Sequence, residues 1–212
     1  NVTFKFVDAA GVQQSTCTAS LEEGAAITAP IYPFITISGY RSKNTGGTID
    51  LTSYKAQAND EITVTYTSLV YQFSNNTRNN TVKYLYCDDT RVCANATVNT
   101  ELASCWTFIP ATLAGKVFLK NKATQAYIGS IINGVPTYTT TTPSIPLEIL
   151  QKSGGTTYSV NSGTPDGKEC LHLNGSSNIV GWTAVDNSSQ WSITPIDVSY
   201  LVSYQCVESS GA

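Results

Sequence analysis

Leu171-His-Leu-Asn-Gly-Ser-Ser-Asn-Ile-Val-Gly-Trp-Thr-Ala-Val-Asp-Asn-Ser-Ser-Gln-Trp191 is the stretch on which the reading of the fold turns. Two short apolar runs, Leu171–Leu173 and Ile179–Trp182, flank the turn residues Asn174-Gly175, and a tryptophan closes the stretch. The same outline occurs twice upstream. Tyr84-Leu85-Tyr86-Cys87, Tyr127-Ile128-Gly129-Ser130 and Cys170-Leu171-His172-Leu173 correspond, with Leu85, Ile128 and Leu171 spaced by 43 and 43 residues. Trp106, Leu147 and Trp191 follow at spacings of 41 and 44, each two positions before another apolar residue. An opening strand precedes each unit, at Tyr71–Phe73, Val117–Leu119 and Tyr158–Val160. A third strand lies around Val92–Ala96, Pro136–Thr140 and Ile179–Trp182. A four-strand unit of ~40 residues cannot bury its apolar face alone, so the three copies must pack together.

Three such units imply a β-trefoil, because three blades fall short of a closed propeller. Leu85, Ile128 and Leu171 are then expected at equivalent places, and Trp106, Leu147 and Trp191 in the core. Residues 71–196 resemble ricin-type β-trefoil lectin modules. The features that carry the resemblance are the three-fold spacing and the Gln-x-Trp-like strand ends Ser104-Cys105-Trp106, Ile145-Pro146-Leu147 and Ser189-Gln190-Trp191. The resemblance implies a sugar site built from an acid after the second strand, an aromatic on the third, and an amide near the Gln-x-Trp. Such a trio suits a pyranose, whose apolar face stacks on a ring while carboxylate and amide hold adjacent hydroxyls.

In the third repeat Trp182 matches the aromatic. Gln190 sits one position off the family's glutamine, His172 stands where the acid is expected, and Ser188 replaces the usual Asn. Asp186 or Asn174 would have to substitute from nearby loops. The first repeat has Asp88 and Asp89 but no third-strand aromatic. The second has Asn133 and Tyr138 but Gly129-Ser130 in place of the acid. No repeat holds the whole trio, so a trefoil without sugar binding is the plain alternative. The candidate carbohydrate-binding residues are Trp182, Asn174, Asp186, Gln190 and His172.

Composition narrows the function classes. The 212 residues include 29 Thr and 22 Ser, types that suit half-exposed strands and turns. A net charge of −3 without a Lys/Arg run gives no footprint for nucleic acid or anionic lipid. No apolar run is long enough for a membrane-spanning helix, and no signal peptide opens the sequence, as expected of a processed or excised piece of a larger protein. Six cysteines lack zinc spacing, and their even number favours an oxidising compartment. A Cys87–Cys93 disulfide across one hairpin is a candidate; pairings of Cys17, Cys105, Cys170 and Cys206 stay open. Six Asn-x-Ser/Thr sequons, at Asn1, Asn75, Asn79, Asn95, Asn174 and Asn187, prove little in so Asn- and hydroxyl-rich a chain.

Nothing points to catalysis. His172 is the only histidine, and alternation places it opposite Leu171 and Leu173, on the solvent side of its strand. Asp88 and Asp89 are adjacent and face apart, unlike a glycosidase pair. No cofactor motif is found.

The first third is also strand-like. Val2, Phe4 and Phe6 alternate, as do Ile62, Val64 and Tyr66, with short strands and Gly-containing turns between. It resembles, on pattern alone, the small Ig-like or β-grasp-like modules of bacterial surface proteins. The expectation is therefore all-β: a small β-sandwich-like N-terminal domain (1–68) followed by a β-trefoil of three four-strand repeats (69–197). The repeats run about 71–112, 113–155 and 156–196, and 198–212 forms a tail or the start of a further domain. The expected function is a non-catalytic, extracellular, glycan-binding module tethered to a larger surface protein or glycan-degrading enzyme. The alternatives are a structural or protein-interaction trefoil and, third, a protease inhibitor presenting Arg91.

Overall fold

The computed structural model describes residues 1–88, 91–95, 101–132, 134–163 and 167–198. Asp89, Ala96, Asn133, Cys206 and the tail from 199 onward lie outside the described residues. The chain forms two compact units, Asn1–Ser68 with Phe108–Phe118, and Leu69–Thr107 with Leu119–Ala212.

The first unit is one five-stranded sheet of β1 (Val2–Val7), β2 (Gln13–Ala19), β3 (Ile35–Ser42), β4 (Thr48–Ile49) and β5 (Glu61–Ser68). Its order is β2-β1-β5-β3-β4, and the central β1–β5 pair is parallel. Phe4 faces Ile62 and Phe6 faces Val64 across that pair, so the two period-2 patterns fall on one apolar face. Loop residues Ile27, Tyr32, Leu51 and Ala56 are buried too, and the edge of Tyr32 meets Phe6 at 6.1 Å. Where a sandwich-like domain was expected, the described residues show one sheet with loop side chains packed on its apolar face. The reason is that the segments at 20–34 and 50–60 carry apolar side chains without a strand's alternation.

From Val70 onward the described residues form twelve strands in three sets of four, of which Phe108–Pro110 and Val117–Phe118 are counted with the first unit. They are β6 (Val70–Asn75), β7 (Lys83–Cys87), β8 (Val92–Asn95) and β9 (Trp106–Pro110); then β10 (Val117–Asn121), β11 (Tyr127–Ile132), β12 (Val135–Thr139) and β13 (Glu148–Gln151). The last set is β14 (Tyr158–Asn161), β15 (Cys170–Leu173), β16 (Ile179–Trp182) and β17 (Ser192–Ile196). In each set the middle two strands form a hairpin. The outer strands link neighbouring sets through β17–β6, β9–β10 and β13–β14. Within the first and third sets the ends meet in the same way, Tyr71 with Trp106 and Tyr158 with Trp191. The fold is all-β, with a β-trefoil of three four-strand repeats.

The core follows the three-fold pattern. Leu85, Ile128 and Leu171, and likewise Trp106, Leu147 and Trp191, are fully buried. Trp106 Nε1–H donates to Leu85 O at 2.9 Å, and Trp191 Nε1–H to Leu171 O at 3.0 Å. A buried indole N–H needs an acceptor, and the symmetry supplies the same one in both repeats. A second three-fold feature was not legible as such in the sequence. Asn75, Asn121 and Asn161 end the opening strand of each repeat, and all three are buried. Asn75 Nδ2 donates to Ser188 O (3.1 Å) and Gln190 O (3.0 Å), Asn121 Nδ2 to Ala103 O (2.8 Å), and Asn161 Nδ2 to Glu148 O (3.4 Å). Each repeat is stitched in this way to the one before it. Since Asn75 has both amide hydrogens so engaged, that sequon has no room for a glycan in the folded chain.

The hairpin disulfide expected at Cys87 and Cys93 is not formed. Cys87 pairs with Val92 and Cys93 with Tyr86, so the two thiols are one register step apart and face opposite sides of the hairpin. No disulfide joins any two of Cys17, Cys87, Cys93, Cys105 and Cys170, the cysteines among the described residues.

Candidate functional site

The third repeat places its candidates along the β15–β16 hairpin and the loop that follows. Trp182 ends β16 and is 41% exposed, against the fully buried Trp106 and Trp191. Its partner across the ladder is Cys170. His172 lies two residues further along β15, with its ring centre 6.1 Å from that of Trp182 and tilted by 48°.

The solvent-side placement of His172 is corrected, because its side chain is buried, with 5% exposure. Alternation misleads here because both faces of β15 are covered, and all four of its residues are buried. The hydrogen bonds define its tautomer. The Ser189 hydroxyl donates to Thr183 O at 2.7 Å, so its oxygen is left to accept from His172 Nδ1–H at 3.0 Å. Nε2 then carries the lone pair and accepts from Arg78 Nη2 at 3.3 Å, while Arg78 Nε–H donates to Leu173 O at 3.2 Å. Burial pushes the imidazole pKa below its ordinary value; the Asp186 carboxylate opposes that and Arg78 reinforces it.

A pH dependence follows. Well above pH 6.5 the ring is neutral in both folded and unfolded chains and contributes no slope. As pH falls below that value the unfolded chain takes the proton first, so stability declines until the folded pKa is passed. Urea titrations at pH 7.5 and 5.5 should show a loss bounded by about 1.4 kcal/mol, because 5.5 is one unit below the unfolded pKa. The loss should shrink in His172→Gln. An equal loss in that variant would assign the slope to other groups.

The remaining candidates divide between loop support and accessible chemistry. Asp186 Oδ1 accepts from Ser188 N–H at 2.8 Å and caps the short 3-10 turn Asn187–Ser189. Gln190 Nε2–H donates to Ala184 O at 2.6 Å, and its Oε1 accepts from Thr157 Oγ1 at 3.5 Å, which ties down the loop after Trp182. Asn174 Oδ1 accepts from Ser176 and Asn178 N–H, both at 2.9 Å, and shapes the hairpin tip. Four strand positions separate Asn174 from Cys170, a rise of about 13 Å. The structure therefore gathers Trp182, His172 and Asp186, uses Gln190 beneath them, and leaves Asn174 at the far end of the hairpin.

Two contributors were missed by sequence reasoning. Arg78 comes from the first repeat, 94 positions from His172. Lys168 stands with its ammonium 5.0 Å from the Trp182 ring centre. No motif marks either one, although Lys168 lies two residues before the strand partner of Trp182. In the other repeats Tyr138 is half-buried on β12, and Asp88 pairs with Arg91 at 3.6 Å.

The fold and the three-fold core define an all-β chain carrying a β-trefoil. The sequence matches no family model and no curated protein. Among solved structures it is similar to the GlcNAcα1-4Gal releasing endo-β-galactosidase from Clostridium perfringens, at 18% identity over 61% of this chain and 33% of that one (TM-score 0.48). It is similar to the Rhizoctonia solani agglutinin, at 17% identity over 61% of this chain and 97% of that one (TM-score 0.48). It is also similar to the Polyporus squamosus lectin bound to a human-type influenza-binding epitope, at 16% identity, 59% and 48% coverage and a TM-score of 0.47. The match thus spans a third of the endo-β-galactosidase and about half of the Polyporus lectin.

Proposed function

We propose that the trefoil unit is a non-catalytic carbohydrate-binding module, that its site is the third repeat, and that Trp182 is the platform on which the sugar stacks. The observation that carries this reading is the contrast among the three tryptophans. Two are wholly buried at equivalent places, while Trp182 ends a hairpin strand with 41% of its surface open. Trp182 keeps part of its ring open, and the loop that follows carries the Asp186 carboxylate, so an apolar surface and an acceptor of the kinds a pyranose requires lie in one hairpin and its loop. Binding is favoured over catalysis because His172 commits both ring nitrogens, one to Ser189 and the other to Arg78. The Thr- and Ser-rich, lightly charged composition supports an extracellular setting, secreted or at a cell surface, as one module of a larger protein. In that setting residues 1–68 act as a spacer before the trefoil.

A glycan array on the whole chain, followed by calorimetry with its best ligand, tests the reading. Trp182→Ala should weaken binding about tenfold or more, since the stacking geometry and the ring's buried area are lost together. Unchanged affinity would move the site to another repeat or to the first unit. A silent array would favour a protein-interaction role, with protease inhibition through Arg91 as the next assay.

A further inference from the structure

Lys168 changes what kind of sugar this site would accept. Lys168 and His172 lie two residues on either side of Cys170, the ladder partner of Trp182. Lys168 lies in the bend before β15 and places its ammonium over the Trp182 ring, 5.0 Å from the ring centre, while the His172 imidazole, on the same strand face as Cys170, is 6.1 Å from it. Beyond the imidazole stands the Arg78 guanidinium, 3.3 Å from His172 Nε2. One cation thus stands over the Trp182 ring and a second against the neighbouring imidazole, on which the Asp186 carboxylate also acts, in a chain whose net charge is −3.

We infer that the site selects acidic glycans, those bearing a carboxylate or sulfate group, and that Lys168 supplies the selectivity; the inference rests on Trp182 being the sugar platform. An ammonium over a ring face is held by the ring's quadrupole and occupies ground that a sugar's C–H face needs. A neutral sugar must displace it and gains nothing from the displaced charge. An acidic sugar turns the same ammonium, swung aside on its flexible stem, into a charge-assisted partner. Lys168 is exposed, so this movement leaves the core undisturbed.

Calorimetry with matched glycans of one backbone, one neutral and one carrying a uronic acid or sulfate, decides the matter. The acidic partner should bind roughly three- to tenfold more tightly at low salt. The preference should fade as salt screens an exposed pair. In Lys168→Ala it should disappear while neutral binding rises, because the ring face is open; Lys168→Arg should keep it. Equal affinity for the two partners, or a preference that survives Lys168→Ala, overturns the inference and leaves Trp182 in its role. If neither glycan binds, or if Trp182→Ala binds both as well as the unaltered chain does, the underlying reading of the site fails instead.

Discussion

Trp191→Ala should destabilise the chain by about 3–5 kcal/mol, the range found when large aromatics are removed from packed cores. Trp191 is fully buried and is among the largest side chains that are. Its backbone is fixed at the same point, since Trp191 N donates to Tyr158 O at 2.8 Å and Tyr158 N to Trp191 O at 2.9 Å. The surroundings therefore have little freedom to close over the cavity. The substitution also strands Leu171 O, which accepts from the indole at 3.0 Å. Trp191→Phe separates the two contributions: it keeps most of the volume and should cost about 1–3 kcal/mol, chiefly for the unmet carbonyl. Trp106→Ala should match Trp191→Ala, because its donor bond to Leu85 O is the three-fold counterpart. Urea unfolding measures all three. A loss below about 1 kcal/mol for Trp191→Ala is incompatible with a residue that fills a packed core.

Gly181→Ala should cost about 1–3 kcal/mol although it adds one methyl group to a strand that otherwise tolerates side chains. A Cβ at this position would stand 2.2 Å from Lys168 O, 2.5 Å from Ile131 Cγ2 and 2.7 Å from Gly134 Cα. Two of these three atoms belong to backbone, so no rotamer change relieves the clash. Gly181 N also donates to Gly134 O at 2.7 Å, which joins the hairpins of the second and third repeats. Parting them to admit the methyl group would break that bond and shift Trp182 and Lys168 together. Sugar binding should therefore weaken along with stability, and both are read on one purified variant. If stability stays within about 0.5 kcal/mol, the hairpins are not in contact at this point.

Much of the second unit was legible in the sequence, because a trefoil repeats one burial pattern three times. Leu85, Ile128 and Leu171 could be matched by spacing alone, and each strand set needed only a period-2 run and a turn to be placed. The burial of Trp106 and Trp191 followed, since residues equivalent under a three-fold axis meet one environment. Trp182 stood out for the converse reason: it has no aromatic counterpart in the first repeat. The single sheet of the first unit was less legible, because loops without alternation cover the face that carries Phe4 and Ile62. The Cys87–Cys93 pairing failed on register, which a count of intervening residues does not specify.

The chemistry around Trp182 was decided only when the chain closed on itself. His172 looked solvent-facing because alternation describes one hairpin in isolation, and the burial of its ring depends on Ser189 and on Arg78 from another repeat. The tautomer, the depressed imidazole pKa and the cations set against the indole and the imidazole are properties of side chains brought together from positions as far apart as 78 and 182. Periodicity records which face of a strand is apolar and therefore determines the fold. Hydrogen bonds and charge contacts fall off within a few ångströms, so which groups meet around Trp182 was decided by tertiary packing.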